Sequence, residues 1–401
     1  MLYFIIFLLL SVYFYRQLYA LNKGIRLVRN KKKLHFLIIG IILVLFTISV
    51  YALILFSKSF NPIKLRLSYI FINTLLCIYL PLFFLIAFDI VFLIATLILR
   101  YLIRSHVLLQ SIRLKLKLSL YVLLLFLLLY GIVIGKNIQK VENVKLSFEN
   151  LPSNFEGLRI VQISDIHIGS LYGNRMKLRR LVETVNSLKP DILLFTGDIV
   201  NKTSNELDIY PDLFKKMNAA YGKYAVLGNH DYGDYAKWDS FYKKQAETVK
   251  LLNYYEANDV VVLKNQGVII KNGKQEIQLV GTENWGLSPF PQYGNIDRAL
   301  DRYGDSGFDI LMAHDPNFWG SEILKKTKVE LTLSGHTHGF QIGCIIGDKK
   351  YTLAKLKSKY DSGLIISDNQ VLYINTGWGV IGYLGRIGIR PEITLIELYK
   401  K

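Results

Sequence analysis

The stretch Leu158-Arg-Ile-Val-Gln-Ile-Ser-Asp165-Ile-His167 sets an apolar run of strand length directly before an acid and a histidine two residues apart. Short β-branched and leucine-rich runs bounded by turn residues predict strands. The pattern recurs downstream. Residues 192–196 run into Gly197-Asp198, 224–227 into Gly228-Asn229-His230-Asp231, 310–313 into His314-Asp315, and 331–334 into Gly335-His336-Thr-His338-Gly339. Further strands are expected at 277–281, 371–375 and 393–398. Between the first two, Leu178, Leu181, Val182, Val185 and Leu188 recur at helical spacing, which predicts a helix with one face able to cover a sheet. Strands alternating with helical patterns predict an α/β domain over residues 156–401. The ends of such strands open into the crevice where open α/β sheets bind ligands. Residues two apart in extended backbone point to one side, so Asp165 with His167, and His336 with His338, are each expected to present two donors together.

Five of the seven histidines fall in these motifs, and only His35 and His106 lie elsewhere. A lone histidine reads as a satisfied core or surface residue. Five at strand ends beside Asp165, Asp198 and Asn229 read as a metal centre. Carboxylate oxygen, imidazole nitrogen and amide oxygen together suit manganese, iron or zinc better than calcium. The two cysteines, Cys77 and Cys344, provide neither a disulfide framework nor a thiolate cluster. Arg386 lies in the glycine-rich stretch 382–388, where its guanidinium is either a bidentate clamp for a substrate phosphate or a plain surface charge.

Across 401 residues, 49 Lys and Arg face 31 Asp and Glu, and 51% of the chain is hydrophobic, which excludes a disordered polymer. Residues 1–150 hold 18 basic and 3 acidic side chains, so the basic excess sits between apolar stretches and not on the α/β domain. That distribution argues against nucleic acid as a partner and for the lipid bilayer. Apolar stretches at 2–21, 34–57, 68–99 and 118–135 predict a transmembrane region of about four helices in residues 1–135, the third long enough to tilt or to kink at Pro81. A basic start and a small-residue cleavage site are both missing, so the first helix is expected to be retained and not removed as a signal peptide. Residues 136–155 read as a polar connector. The first connection carries seven basic residues, the second three and the third five, which places the large domain on the extracytoplasmic side of a cell or inner membrane. Asp89 is an acid within the third stretch, expected close to a polar boundary because that stretch exceeds the bilayer. Trp285, Phe290 and Tyr293 are expected to pack a local mini-core, with a lip against acyl chains as the alternative.

The ordered series D-x-H, G-D, G-N-H-D, H and G-H-T-H resembles the calcineurin-like metallophosphoesterase superfamily over residues 156–401. Gly339-Phe-Gln341 and the stretch from Asn375-Thr-Gly-Trp-Gly to Arg390-Pro-Glu-Ile393 are similar to its membrane-anchored YkuE/YaeI-like branch, which includes transmembrane proteins with a metallophosphoesterase domain. Phe340 stands where that branch often has glycine and Ala313 where other branches often have it, and neither departure removes a ligand. The resemblance implies a sandwich of two mixed β-sheets flanked by helices. It also implies two divalent metal ions, one held by Asp165, His167, Asp198 and His338 and the other by Asp198, Asn229, His314 and His336. A metal-activated hydroxide would be the nucleophile. His230 would stabilise the phosphoryl oxygen or protonate the leaving group, while Asp231 either orients that imidazole or serves as a turn or cap residue.

The function so implied is hydrolysis of phosphodiester or pyrophosphate bonds in a phosphorylated, lipid-linked or envelope substrate. A UDP-2,3-diacylglucosamine-type pyrophosphatase of lipid A synthesis is the alternative should the domain be cytoplasmic. Phosphomonoester or phosphoprotein hydrolysis is another. A non-catalytic membrane module binding phosphoryl ligands is the third, disfavoured because such a module has no need of every ligand. Oligomeric state is not set by the sequence.

Overall fold

The computed structural model describes residues 62–99, 106–171, 173–286, 291–300, 307–347 and 349–401, together with Gly40 and Val44. The spans expected at 2–21 and 34–57 lie outside the described residues apart from those two positions, as does Phe290. The chain divides into two units, Met1–Tyr130 and Gly131–Lys401.

In the first unit, helix α1 spans Pro62–Leu99 and runs on through Pro81, and helix α2 spans His106–Val133. Both begin upstream of the apolar runs read from the sequence, since the intervening Lys, Arg and Leu residues are good helix formers. Leu67–Ile98 and Ser111–Asn137 are each long and apolar enough to cross a membrane. At 1.5 Å per residue α1 is about 57 Å long, well beyond a hydrocarbon core of about 30 Å. Asp89 accepts from Arg113 Nε at 2.9 Å and from Lys117 Nζ at 2.7 Å. Asp89 lies within Leu67–Ile98 and both partners within Ser111–Asn137, so the acid of one apolar helix is paired with two cations of the other.

The second unit holds two six-stranded mixed sheets among the described residues. The first contains β1 (Lys140–Phe148), β2 (Leu158–Ile163), β3 (Ile192–Phe195), β4 (Lys223–Ala225), β5 (Val260–Val262) and β14 (Glu392–Lys400), in the order β1-β14-β2-β3-β4-β5. The second contains β6 (Gln266–Asn272), β7 (Gln275–Gly281), β8 (Asp309–Met312), β9 (Leu331–Ser334), β12 (Gly363–Ser367) and β13 (Gln370–Ile374), in the order β12-β13-β9-β8-β7-β6. A separate hairpin pairs β10 (Gly343–Ile346) with β11 (Lys349–Thr352). Strand alternation builds the layers. Ile160, Ile192 and Leu194 point inward against Ile310, Met312, Leu331 and Leu333 of the other sheet. Their neighbours Val161, Leu193 and Phe195 point outward under Leu181, Val185, Leu251 and Tyr255. Those four belong to helices α3 (Arg175–Ser187) and α4 (Phe241–Ala257). The outer face of the second sheet is covered by Phe318, Trp319 and Ile323. The expected sandwich flanked by helices is the fold found.

The expected connector needs correction. Residues 136–155 contribute β1, which pairs in parallel with β14 along the edge of the first sheet. It looks polar because an edge strand buries only alternate side chains: Leu146 and Phe148 enter the core while Asn143, Lys145 and Ser147 stay exposed. Trp285 packs on Phe318 and Tyr293 stacks on Tyr232, so the two aromatics join two different core clusters of the unit and do not form the expected local mini-core.

Candidate metal centre

Five loops that leave the ends of β2, β3, β4, β8 and β9 bring the predicted ligands together: Asp165 and His167, Asp198, Asn229, His314, and His336 with His338. The local backbone differs from expectation. Asp165 (φ 53°), His167 (44°), Asp198 (57°), His336 (71°) and His338 (51°) all adopt left-handed angles, so the paired donors converge through tight turns and not through extended strand. Gly197 takes φ 95°, and a Cβ there would lie 2.6 Å from both Gly228 N and His314 Nδ1, which lets neighbouring loops approach.

The donor atoms form two adjoining groups. In the first, His338 Nε2 lies 3.1 Å from His167 Nε2 and 3.2 Å from Asp165 Oδ1. In the second, His314 Nε2 lies 3.3 Å from Asp198 Oδ2 and 3.2 Å from Asn229 Oδ1, and His336 Nδ1 lies 2.9 Å from that same amide oxygen. Asp198 Oδ2 is also 3.7 Å from His167 Nε2, so this carboxylate stands between the groups. Backbone carbonyls set the tautomers. His167 Nδ1 donates to Val200 O at 3.1 Å and His314 Nδ1 to Thr196 O at 2.7 Å, which turns both Nε2 atoms toward the other acceptors. Acceptors gathered this densely repel one another unless positive charge lies among them, and the electrostatics agree. Burial works against a charge on His314, yet Asp198 lifts its pKa to about 10. Burial would likewise raise the Asp198 carboxyl, but His314 and His230 hold it well below the usual range. Burial pushes His167 down to about 3, leaving it a neutral donor. The buried residues thus fit divalent cations with mixed oxygen and nitrogen ligands.

His230 is half-buried at the edge of this cluster. Its Nδ1 donates to Asn201 O at 2.7 Å, and its ring stacks on Tyr235 with centroids 4.1 Å apart. Asp231 does not orient it. The Asp231 carboxylate accepts from the backbone N–H groups of Asp198 (2.8 Å), Gly228 (2.9 Å), Ile199 (3.0 Å) and Val200 (3.3 Å), so of the two expected roles it takes the turn role and pins the Asp198 loop. Burial raises that carboxyl to about 7. Arg386 also departs from the expected clamp or surface charge. It is 1% exposed, and its guanidinium donates to the carbonyls of Gly379, Thr376 and Arg390, beside His338 Nδ1 at 3.4 Å. Its donors are consumed in closing the loop around 376–390, out of reach of a substrate.

Three residues at the site carry no sequence signal. Tyr235 accepts from Asn229 Nδ2 at 2.7 Å, which turns Asn229 Oδ1 toward the histidines. Asn201 supplies the carbonyl that holds His230. Glu206, raised to about 7 by burial, accepts from the N–H groups of Asn201 (2.6 Å), Lys202 (2.8 Å) and Thr203 (3.2 Å) and braces that loop.

A family model described as calcineurin-like phosphoesterase matches residues 158–340. A transmembrane protein with metallophosphoesterase domain from Danio rerio is 30% identical over 272 residues, which are 67% of this chain and 59% of that protein. The metallophosphoesterase YkuE of Bacillus subtilis is 32% identical over 254 residues, 62% of this chain and 81% of that protein. A second Bacillus subtilis metallophosphoesterase, YkoQ, is 28% identical over 256 residues, 62% of this chain and 86% of that protein. The chain therefore spans less than two thirds of the Danio rerio relative's length and most of each bacterial one.

Proposed function

Because the chain belongs to the calcineurin-like phosphoesterase family, metal-dependent hydrolases of phosphoester bonds, we propose that it is a membrane-anchored two-metal enzyme that cleaves phosphodiester or pyrophosphate bonds in a lipid-linked or envelope substrate. The observation that carries this reading is the pair of adjoining donor groups with Asp198 between them. Asp165, His167, Asp198 and His338 would hold one cation, and Asp198, Asn229, His314 and His336 the other, with manganese, iron or zinc suited to the donor set. Cations bound there would supply Lewis-acid charge and would make a water at the site more acidic.

The chain's own residues do the rest. With Nδ1–H fixed on Asn201 O, His230 exchanges protons only at Nε2, the atom available to a leaving oxygen or a phosphoryl oxygen. Tyr235 holds the plane of that ring by stacking. Asp231 keeps the Asp198 loop in its strained turn without touching substrate.

Anchoring is supported by the two helices long and apolar enough to cross a membrane, and an extracytoplasmic domain by the seven and five basic residues of the first and third connections against three in the second. On that side a cytoplasmic nucleotide-linked lipid is out of reach, which favours an envelope or lipid-linked ester. Purified full-length chain with added manganese is expected to bind two ions and to turn over a chromogenic diester faster than the matching monoester. Asp198→Asn should lose metal and turnover together, and equal metal content and turnover in that variant would refute the shared carboxylate. Protease protection of residues 156–401 in intact cells would reverse the sidedness.

A further inference from the structure

The edge of the first sheet at which β2, β3 and β4 end, and from which metal-ligating loops depart, is also the edge at which β1 and β14 begin. The chain arrives there straight from the apolar segment Ser111–Asn137, three residues before β1 starts at Lys140. The β10–β11 hairpin lies against this same corner. Ile342, at its base, bridges to Ile387. Gly131, near the end of the apolar segment, leaves no room for a Cβ against Ile387 and Tyr383. Lys350 of β11 reaches Glu142 at 3.2 Å and Glu392 at 2.7 Å, at the starts of β1 and β14.

The hairpin and the turn after it present apolar side chains to solvent where nothing in the fold requires them. Ile346 is 66% and Leu356 88% exposed, with Ile345 and Leu353 beside them in the chain also exposed. Residues 343–360 carry five lysines and a single acid, Asp348. Lys349, Lys355, Lys357 and Lys359 are all exposed among these apolar tips. Apolar side chains fringed by lysine suit an anionic lipid surface, where the hydrocarbon enters the acyl boundary and the ammonium groups meet headgroups.

We propose that the β10–β11 hairpin and the turn at Leu353–Leu356 form a foot that rests on an anionic bilayer beside the point where Ser111–Asn137 leaves it. The foot holds the metal-bearing edge of the sheet close to lipid. The inference rests on Ser111–Asn137 being a membrane span and is independent of hydrolysis.

Full-length chain lacking its native thiols (Cys77→Ala, Cys344→Ala) is reconstituted into phosphatidylcholine–phosphatidylglycerol vesicles that carry a doxyl-labelled lipid quencher. A fluorophore is attached to a single cysteine at Ile346→Cys or Leu356→Cys. Val122→Cys in the span serves as the positive reference, and Ala220→Cys, ahead of β4 at the opposite sheet edge, as the negative one. Probes at 346 and 356 are expected to be quenched about threefold more than at 220, as interfacial insertion requires. Lys355→Glu with Lys357→Glu should lower the docked-to-free ratio about tenfold or more, given the attraction of each lysine to an anionic surface. Quenching at 122 with none above the 220 level at 346 and 356 overturns the foot. No quenching at 122 removes the span and the foot with it. Undiminished quenching in pure phosphatidylcholine overturns the anionic partner, and crosslinking between two copies at 356 without lipid quenching assigns the patch to self-association instead.

Discussion

Left-handed backbone angles at Asp165, His167, Asp198, His336 and His338 each cost on the order of 1–3 kcal/mol, and they persist only where surrounding bonds over-determine them. Asp231 does this for Asp198 through four backbone N–H groups. His230 stands outside the ligand set, so His230→Ala is expected to keep both metals by elemental analysis while losing about 10²- to 10⁴-fold in kcat, the usual scale of a general acid. Tyr235 acts one step back. Tyr235→Phe keeps the stacking but releases the Asn229 amide, and should weaken binding of one of the two metals about 10- to 100-fold in a titration, with the other unchanged. Lys177 gives a separate test away from the ligands. Its ammonium lies 4.4 Å from the centre of the Trp378 ring, and burial lowers its pKa from 10.5 to about 7. The unfolded chain therefore binds the extra proton between those values, and stability should rise with pH across that window by up to about 1.4 kcal/mol per unit. Lys177→Met should flatten that rise in thermal melts. The candidate ligands are legible in the sequence because only a few side chains bind metals and their spacing is short. Tyr235, Asn201 and Glu206 are not, since they act through a ring face, a carbonyl and backbone N–H groups, none of which leaves a residue pattern.

Among elements, β2, β3, β8 and β9 were legible because strands buried on both faces read as continuous apolar runs. β1, β6 and β12 carry no such run, because edge strands bury alternate residues at most and their polar faces resemble connectors. The convergence of Asp165 with His167 was expected from extended geometry, whereas tight turns produce it, because sequence spacing reports which residues are near and not which backbone brings them there. β1 is nevertheless a working part of the sandwich. Phe148 at its end is buried and meets Phe308, the residue ahead of β8, edge-on with ring centroids 5.1 Å apart. Phe148→Ala is expected to destabilise the second unit by about 3–5 kcal/mol, the usual result of emptying a buried aromatic site. Denaturant melts of the full chain in detergent would read this, and an unchanged midpoint would return residues 140–148 to the status of a connector.

At the scale of the whole second unit, the first sheet supplies Asp165, His167, Asp198, Asn229 and His230, and the second supplies His314, His336 and His338. Ions bound among them would tie the two layers at one end of the sandwich, so metal removal should loosen the sandwich as well as stop turnover. Any ligand bound only by the native state adds RT ln(1 + [L]/Kd), about 2.7 kcal/mol at a hundredfold excess over Kd. The pH dependence carries a sign. Without a cation, His314 keeps a proton beside Asp198, with a pKa raised from 6.5 to about 10. Its contribution is fully present below pH 6.5 and is lost as pH rises through about 10. A divalent ion must displace that proton and gains as protons become scarce. The difference in melting temperature between metal-loaded and chelated protein should therefore widen from pH 6 toward pH 9. A difference that stays constant or narrows over this range would mean that His314 holds no proton against the metal, and that positive charge is not what the converging acceptors demand.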